Sequence, residues 1–232
     1  MEKECKKQNN GILDFSKDIK LLAILGHEDD EAIGCGGTLA KAVESGGASK
    51  AICFGGSLES RAKEFARACN VLGVEYETFG KKEGFYDTNE RENLLLLRNK
   101  IIEYKPDVVI THRKEGDYHP DHSVVSDMAR QATIMAQTPV NAHMAKGILY
   151  TETHSLHSIV NVFVDVTNQY SKVMQAMDQH DGQNIKSDGY YGQLIDKKSS
   201  LRGLQAGCGR AEAFLFEPLE LIGSLNRRNL GA

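Results

Sequence analysis

Short apolar runs alternate with longer amphipathic segments along most of this chain. Lys20 to Leu25 (KLLAIL) is apolar almost throughout, the pattern of a strand buried on both faces. A polar, acidic loop follows, and Gly36 to Glu44 then has helical spacing that stops at Gly46-Gly47. Lys50 to Phe54 predicts a second strand. Ser60 to Leu72 predicts a helix with Ser60 as N-cap and Gly73 just past its end, and Val74 to Phe79 a third strand. A helix from about Glu90 to Tyr104 leads through Lys105-Pro106 into a fourth strand, Asp107 to Thr111. Strands separated by helices of this length need crossover connections. The pattern therefore predicts an α/β fold, a single-domain Rossmann-like αβα sandwich with a mainly parallel central sheet.

From Gly147 onward the rhythm changes, with strands expected at Ile148 to Thr151 and Val160 to Val166 and helices at Asn168 to His180 and Gln193 to Gln205. A last strand, Glu212 to Phe216, precedes a polar tail. No Ser/Gly/Pro linker, repeat or low-complexity segment divides the chain. Lys81 to Asn89 and Asp181 to Tyr191 are polar and contain glycine, and they read as loops bordering a site.

Composition narrows the partners. The chain has 232 residues, with 28 basic against 32 acidic side chains and a net charge of −4, too balanced for a phosphate-coating surface; small molecules, not nucleic acid, are expected. The five cysteines are scattered without CxxC spacing, which argues against a thiolate zinc site or a disulfide framework. The amino-terminal MEKECKKQNNG lacks an apolar stretch behind a basic start, and Leu21 to Leu25 is too short to cross a bilayer. A cytoplasmic protein without membrane insertion is the expectation. Leu94 to Leu97 is core or an oligomer contact, so a homo-oligomer stays open.

The chemistry gathers at two loops. Gly26-His27-Glu28-Asp29-Asp30-Glu31 follows the first strand and places four carboxylates in consecutive positions, a repulsion that a cation would relieve. His27 and Asp30, at i and i+3, can converge on one ion in a tight turn. His119-Pro120-Asp121-His122 follows the fourth strand, and in a parallel sheet both loops lie at carboxyl strand ends, where ligands bind. A His/Asp/His set with open positions suits catalytic zinc and also a nonheme Fe²⁺ triad. Gly34-Cys35-Gly36-Gly37 invites a dinucleotide reading that fails in detail. The third glycine of G-x-G-x-x-G would fall at Leu39, and carboxylates precede the helix where a pyrophosphate would lie.

These motifs resemble the LmbE-like N-deacetylases, which include the PIG-L type deacetylases of N-acetylglucosaminyl lipids. The family pattern A-H-P-D-D-E followed by G-x-G-G-T stands here as Gly26-His27-Glu28-Asp29-Asp30-Glu31 and Gly34-Cys35-Gly36-Gly37-Thr38. Its second pattern stands as Thr111-His112 and Asp117-Tyr118-His119-Pro120-Asp121-His122. Weaker echoes, among them Arg61-x-x-Glu64, Val164-Asp165-Val166-Thr167 with Lys172 and His180, and Ala211-Glu212-Ala213-Phe214, extend the likeness over about residues 20 to 217. It implies an N-terminal extension, 1–19, and one deacetylase domain, 20–232.

By that resemblance His27, Asp30 and His122 hold a divalent metal, usually zinc, and Asp29 is the general base. His119 stabilises the oxyanion or protonates the leaving amine, with Asp121 orienting it. Arg61, His112 and His180 are the candidates for contact with substrate. Each also has a plainer reading: a solvated helix arginine, a packed histidine at a strand end, and a histidine at a helix terminus. His143, His154 and His157 belong to no motif and read as surface or loop groups. The implied activity is removal of acetyl from an N-acetylglucosamine-type sugar or conjugate. A broader amidase and a noncatalytic metal-binding protein are the alternatives. Two departures from the family stand out: Glu28 replaces the usual proline, and Asp117 stands where some members carry an oxyanion-assisting tyrosine.

Overall fold

The computed structural model describes residues 18–82, 84, 90–137 and 143–219. Most of the amino-terminal extension, of the Lys81 to Asn89 loop and of the polar tail lies outside these residues. The described elements run, in chain order, β1 (Lys20–Leu25), α1 (Asp30–Gly34), α2 (Gly36–Glu44), β2 (Ala48–Cys53), α3 (Glu59–Leu72) and β3 (Glu75–Thr78). They continue with α4 (Glu90–Tyr104), β4 (Val108–His112), α5 (Pro120–Met135), β5 (Gly147–Thr151) and β6 (Val162–Asp165). The last are α6 (Tyr170–Met177), α7 (Asp181–Lys186), α8 (Tyr190–Ala206) and β7 (Ala211–Pro218).

One seven-stranded sheet, in the order β3-β2-β1-β4-β5-β7-β6, organises the chain. β1 lies parallel between β2 and β4, which is why its sequence is apolar rather than alternating. Its side chains still divide by the period of two. Leu21, Ala23 and Leu25 join Leu39, Phe65 and Phe214 on one face, whereas Leu22 and Ile24 join Leu97, Val125 and Ile148 on the other. Helices therefore cover both faces, and the α/β reading holds. The mainly parallel sheet ends in an antiparallel edge, because β7 pairs antiparallel with both β5 and β6.

Three local expectations differ. The sequence between the fourth and fifth strands forms α5, entered through His119 as N-cap with Pro120 in its first turn, a start that lacks the usual Ser, Thr or Asp signal. The expected loop Asp181 to Tyr191 contains α7 and the first two residues of α8. Ser60 is not an N-cap; α3 begins one residue earlier, after Leu58, while Gly73 does close it in the left-handed conformation at φ 78°.

The glycine-rich turn also has a structural reason. A Cβ at Gly37 would lie 2.7 Å from Val166 Cβ, so the small residue lets α2 approach the sheet. The backbone N–H groups of Gly37 and Thr38 both donate to the Glu212 carboxylate at 2.8 Å. The start of α2 thus carries its own anion, which leaves no place for a pyrophosphate. Among the described residues no helix is long and apolar enough to cross a membrane.

Candidate metal centre

β1 sits where the sheet connections depart in opposite directions, toward β2 on one side and β4 on the other. That is the place where open α/β sheets bind ligands, beyond the carboxyl ends of the strands. β1 delivers the His27 to Asp30 loop there, and β4 delivers His112 and the segment leading to α5. Gly26 at the exit of β1 has little room for a side chain, since a Cβ would lie 3.1 Å from His122 Cδ2.

His27, Asp30 and His122 meet at this point, all buried. His27 Nδ1 lies 3.1 Å from His122 Nε2 and 3.5 Å from Asp30 Oδ2, and His122 Nε2 lies 3.4 Å from Asp30 Oδ2. The far nitrogen of each imidazole faces a carboxylate. His122 Nδ1 is 2.7 Å from Asp117 Oδ2, and His27 Nε2 is 3.2 Å from Asp121 Oδ2. With a proton on each outer nitrogen, and once His122 Nε2 has given up its own, the two inner nitrogens and Asp30 point lone pairs at one another across a buried space. A divalent cation resolves that repulsion. Donors at about 2.0–2.1 Å from a four-coordinate zinc lie roughly 3.3 Å apart, close to the three edges of this triangle. Asp30 Oδ1 is buried without a hydrogen-bond partner, which also suits a cation held by these donors.

Asp117, where some family members carry tyrosine, thus has a role that the motif did not reveal: it fixes the tautomer of His122. Asp117→Asn is expected to weaken zinc binding about 10- to 100-fold, measured by competition with a chromogenic chelator.

The remaining site residues take varied places. Asp29 stands at the start of α1, yet its side chain makes no capping hydrogen bond. It is 4 % exposed, and burial and the adjacent Asp30 push its pKa up to about 6. His119 accepts the Asp121 N–H at Nδ1, 3.3 Å away, so its proton belongs on Nε2. Its ring packs edge-on to His27 at 4.5 Å. Burial and the nearby His27 and His122 lower its pKa, making it a neutral donor rather than the imidazolium that pairing with Asp121 would favour. The Asp121 carboxylate instead faces His27 and accepts the Gly84 N–H.

His112 is fully buried and stacks on His122 with ring centroids 3.7 Å apart. Its Nε2 accepts the Gly26 N–H at 2.9 Å and its Nδ1 faces Thr153 Oγ1 at 2.9 Å, which suits a neutral ring; burial lowers its pKa to about 4. His180 is buried, with Nε2 2.8 Å from Glu31 Oε1, and so ties α1 to the turn between α6 and α7. Arg61 is not a solvated helix arginine: its guanidinium lies 3.1 Å from Glu28 and 3.5 Å from Asp29.

His154 and His157 depart most from the surface reading. His157 is buried, and His154 stacks parallel to His122 at 5.1 Å. Around His154 stand Tyr118 at 5.4 Å and Tyr191 at 5.9 Å, with Tyr190 packed on Tyr191, forming an aromatic rim. No motif marks His154; only strand β5, which ends beside β4 and carries it there, gives it away.

Residues 22–133, which contain both histidine loops, match the model of the PIG-L family, described as GlcNAc-PI de-N-acetylase. Over those residues the chain is similar to the PIG-L family. Solved structures with the same fold include N,N'-diacetylchitobiose deacetylase from Pyrococcus horikoshii, at 21 % identity, TM-score 0.77, and 94 % and 91 % coverage of this chain and that one. The 4-carboxy-2-hydroxymuconate hydratase GalB from Pseudomonas putida superposes equally well, at 20 % identity, TM-score 0.77, and 88 % and 98 % coverage. The conserved protein TT1542 from Thermus thermophilus follows at 22 % identity, TM-score 0.75, and 89 % and 98 % coverage. The same fold thus carries both a deacetylase and a hydratase, so the chemistry here has to be argued from the side chains.

Proposed function

We propose that this protein is a metal-dependent deacetylase that hydrolyses the N-acetyl group of an N-acetylglucosamine-type sugar or conjugate, giving acetate and a free amine. The observation that carries this is the buried His27, Asp30 and His122 triangle with Asp29 beside it, since a purely structural site needs donors but no adjacent base. The family description and the chitobiose deacetylase support the same reading. Those three side chains would hold the ion, with zinc the first choice and Fe²⁺ compatible with the same donors. When bound, it polarises the amide carbonyl and acidifies water.

The protein's own groups supply the rest. Asp29, with its elevated pKa, accepts the proton of the attacking water near neutral pH. His119, with its proton on Nε2, donates to the oxygen that gains charge as the carbonyl becomes tetrahedral. The proton taken up by Asp29 can return to the departing nitrogen, which cannot leave as an anion. Asp117 and Asp121 hold the two histidine rings in place. The aromatic rim offers flat apolar faces on which a sugar ring can rest.

Metal content tests the assignment. Purified wild-type protein is expected to bind one zinc per chain, and His27→Ala to lose it together with activity; a His27→Ala protein that keeps both would overturn the reading. Binding should also release protons. Burial lowers the pKa of His122, but Asp30 and Asp117 outweigh it and raise it to about 10 in the metal-free protein. A protonated Nε2 cannot ligate, so below that pH each ion displaces a proton, and apparent affinity rises with pH. Calorimetry in buffers of different ionisation enthalpy reads that proton directly.

A further inference from the structure

Beside Asp29 lies a cavity of about 500 Å³ lined by Glu28, Ser57, Leu58, Arg61 and Lys82. Its floor is built around the residue that replaces the family's proline. Glu28 is 2 % exposed, and its carboxylate lies against Gly55, where a Cβ would come within 2.9 Å of Oε2. That carboxylate faces Arg61 at 3.1 Å, and Asp29 faces the same guanidinium at 3.5 Å. Both carboxylates face one cation, and a proline at position 28 would remove one of them. Lys82 is exposed at the rim and lacks the burial that strengthens a charge.

We infer that Glu28 is a specificity-determining residue: it cancels Arg61 as an anion receptor and fits the pocket to conjugates whose group beside the N-acetyl sugar is uncharged, against those bearing phosphate or carboxylate there. This rests on the deacetylase reading for the position of the sugar. The discrimination is local, since the Glu28 carboxylate occupies the guanidinium with which an incoming anion would otherwise pair. Leu58, 59 % exposed, adds an apolar wall that suits a neutral group.

The test compares methyl N-acetylglucosaminide with N-acetylglucosamine 1-phosphate on zinc-loaded, full-length protein, by calorimetric Kd. Wild type is expected to bind the neutral sugar about tenfold or more tightly than the phosphate, and Glu28→Gln to shift the ratio about tenfold toward the phosphate. Equal or tighter binding of the phosphate by wild type, an unchanged ratio in Glu28→Gln, or no binding of either sugar would overturn the inference. Glu28→Pro, the residue of the family pattern, serves if Glu28→Gln does not fold. Free amine is scored separately. Sugars that bind with the expected ratio but release no amine contradict deacetylation and leave the pocket assignment standing, whereas amine release with an unchanged ratio does the reverse.

Discussion

Asp29→Asn is expected to lower turnover by about 10²- to 10⁴-fold, the contribution of a positioned general base, while zinc content stays at the wild-type level. The substitution keeps the shape of the side chain and removes only its ability to take a proton. Asp29 does not belong to the buried triangle of donors, and its neighbours are Arg61 and the acidic loop itself. Burial and Asp30 hold its pKa at about 6, despite the opposing influence of Arg61 and His180. The base form is present above that value and is lost as pH falls through it, so wild-type kcat/KM should decline below about pH 6. Turnover within a few-fold of wild type in Asp29→Asn would show that another group takes the proton. Loss of zinc would show Asp29 to be a ligand.

Glu152→Ala carries the largest expected cost in stability. Glu152 and Arg202 are 2 % and 6 % exposed, and the guanidinium donates through Nε and Nη2 to the two carboxylate oxygens. Nη2 also donates to His157 O at 2.9 Å, and the His157 N–H donates to Glu152 Oε1 at 2.5 Å. Beside them the buried Lys198 ammonium donates to the carbonyls of Ile33, Glu152 and Thr153. Helix α8 thereby grips both α1 and the segment that carries Thr153 and His154 to the metal centre. Truncating Glu152 leaves a buried guanidinium without its counter-charge, a loss of about 3–5 kcal/mol. In a domain of this size that corresponds to a fall in Tm of roughly 6–20 °C by calorimetry. A fall of less than about 2 °C would mean that water reaches Arg202 and replaces the carboxylate.

These two residues differ in how visible they are from the sequence. Asp29 announces itself, because consecutive carboxylates after a buried strand have no cheap structural explanation, and β1 coincides with the predicted Lys20 to Leu25. The parallel half of the fold is equally legible: local apolar runs and glycine stops specify β1 to β4 and the helices between them. The second half depends on distant pairing. Nothing local in Ala211 to Pro218 states that it runs antiparallel between β5 and β6, and only the sheet brings Glu212 to the start of α2. The same limit hides His154, Glu152 and Lys198, whose partners lie 32 to 165 residues away. Asp117 and Glu28 were visible as departures from a pattern, but their roles needed partners in space: His122 for one and Arg61 for the other.

The most direct test of the central claim follows acetate and free amine from methyl N-acetylglucosaminide with one preparation of the full-length protein, before chelation, after removal of metal, and after addition of one equivalent of zinc. Equimolar acetate and amine are expected, with loss of both on chelation and their return with zinc. Release that persists in metal-free protein, or a zinc-loaded protein that yields neither product from this or any other N-acetylglucosaminyl conjugate, would contradict it.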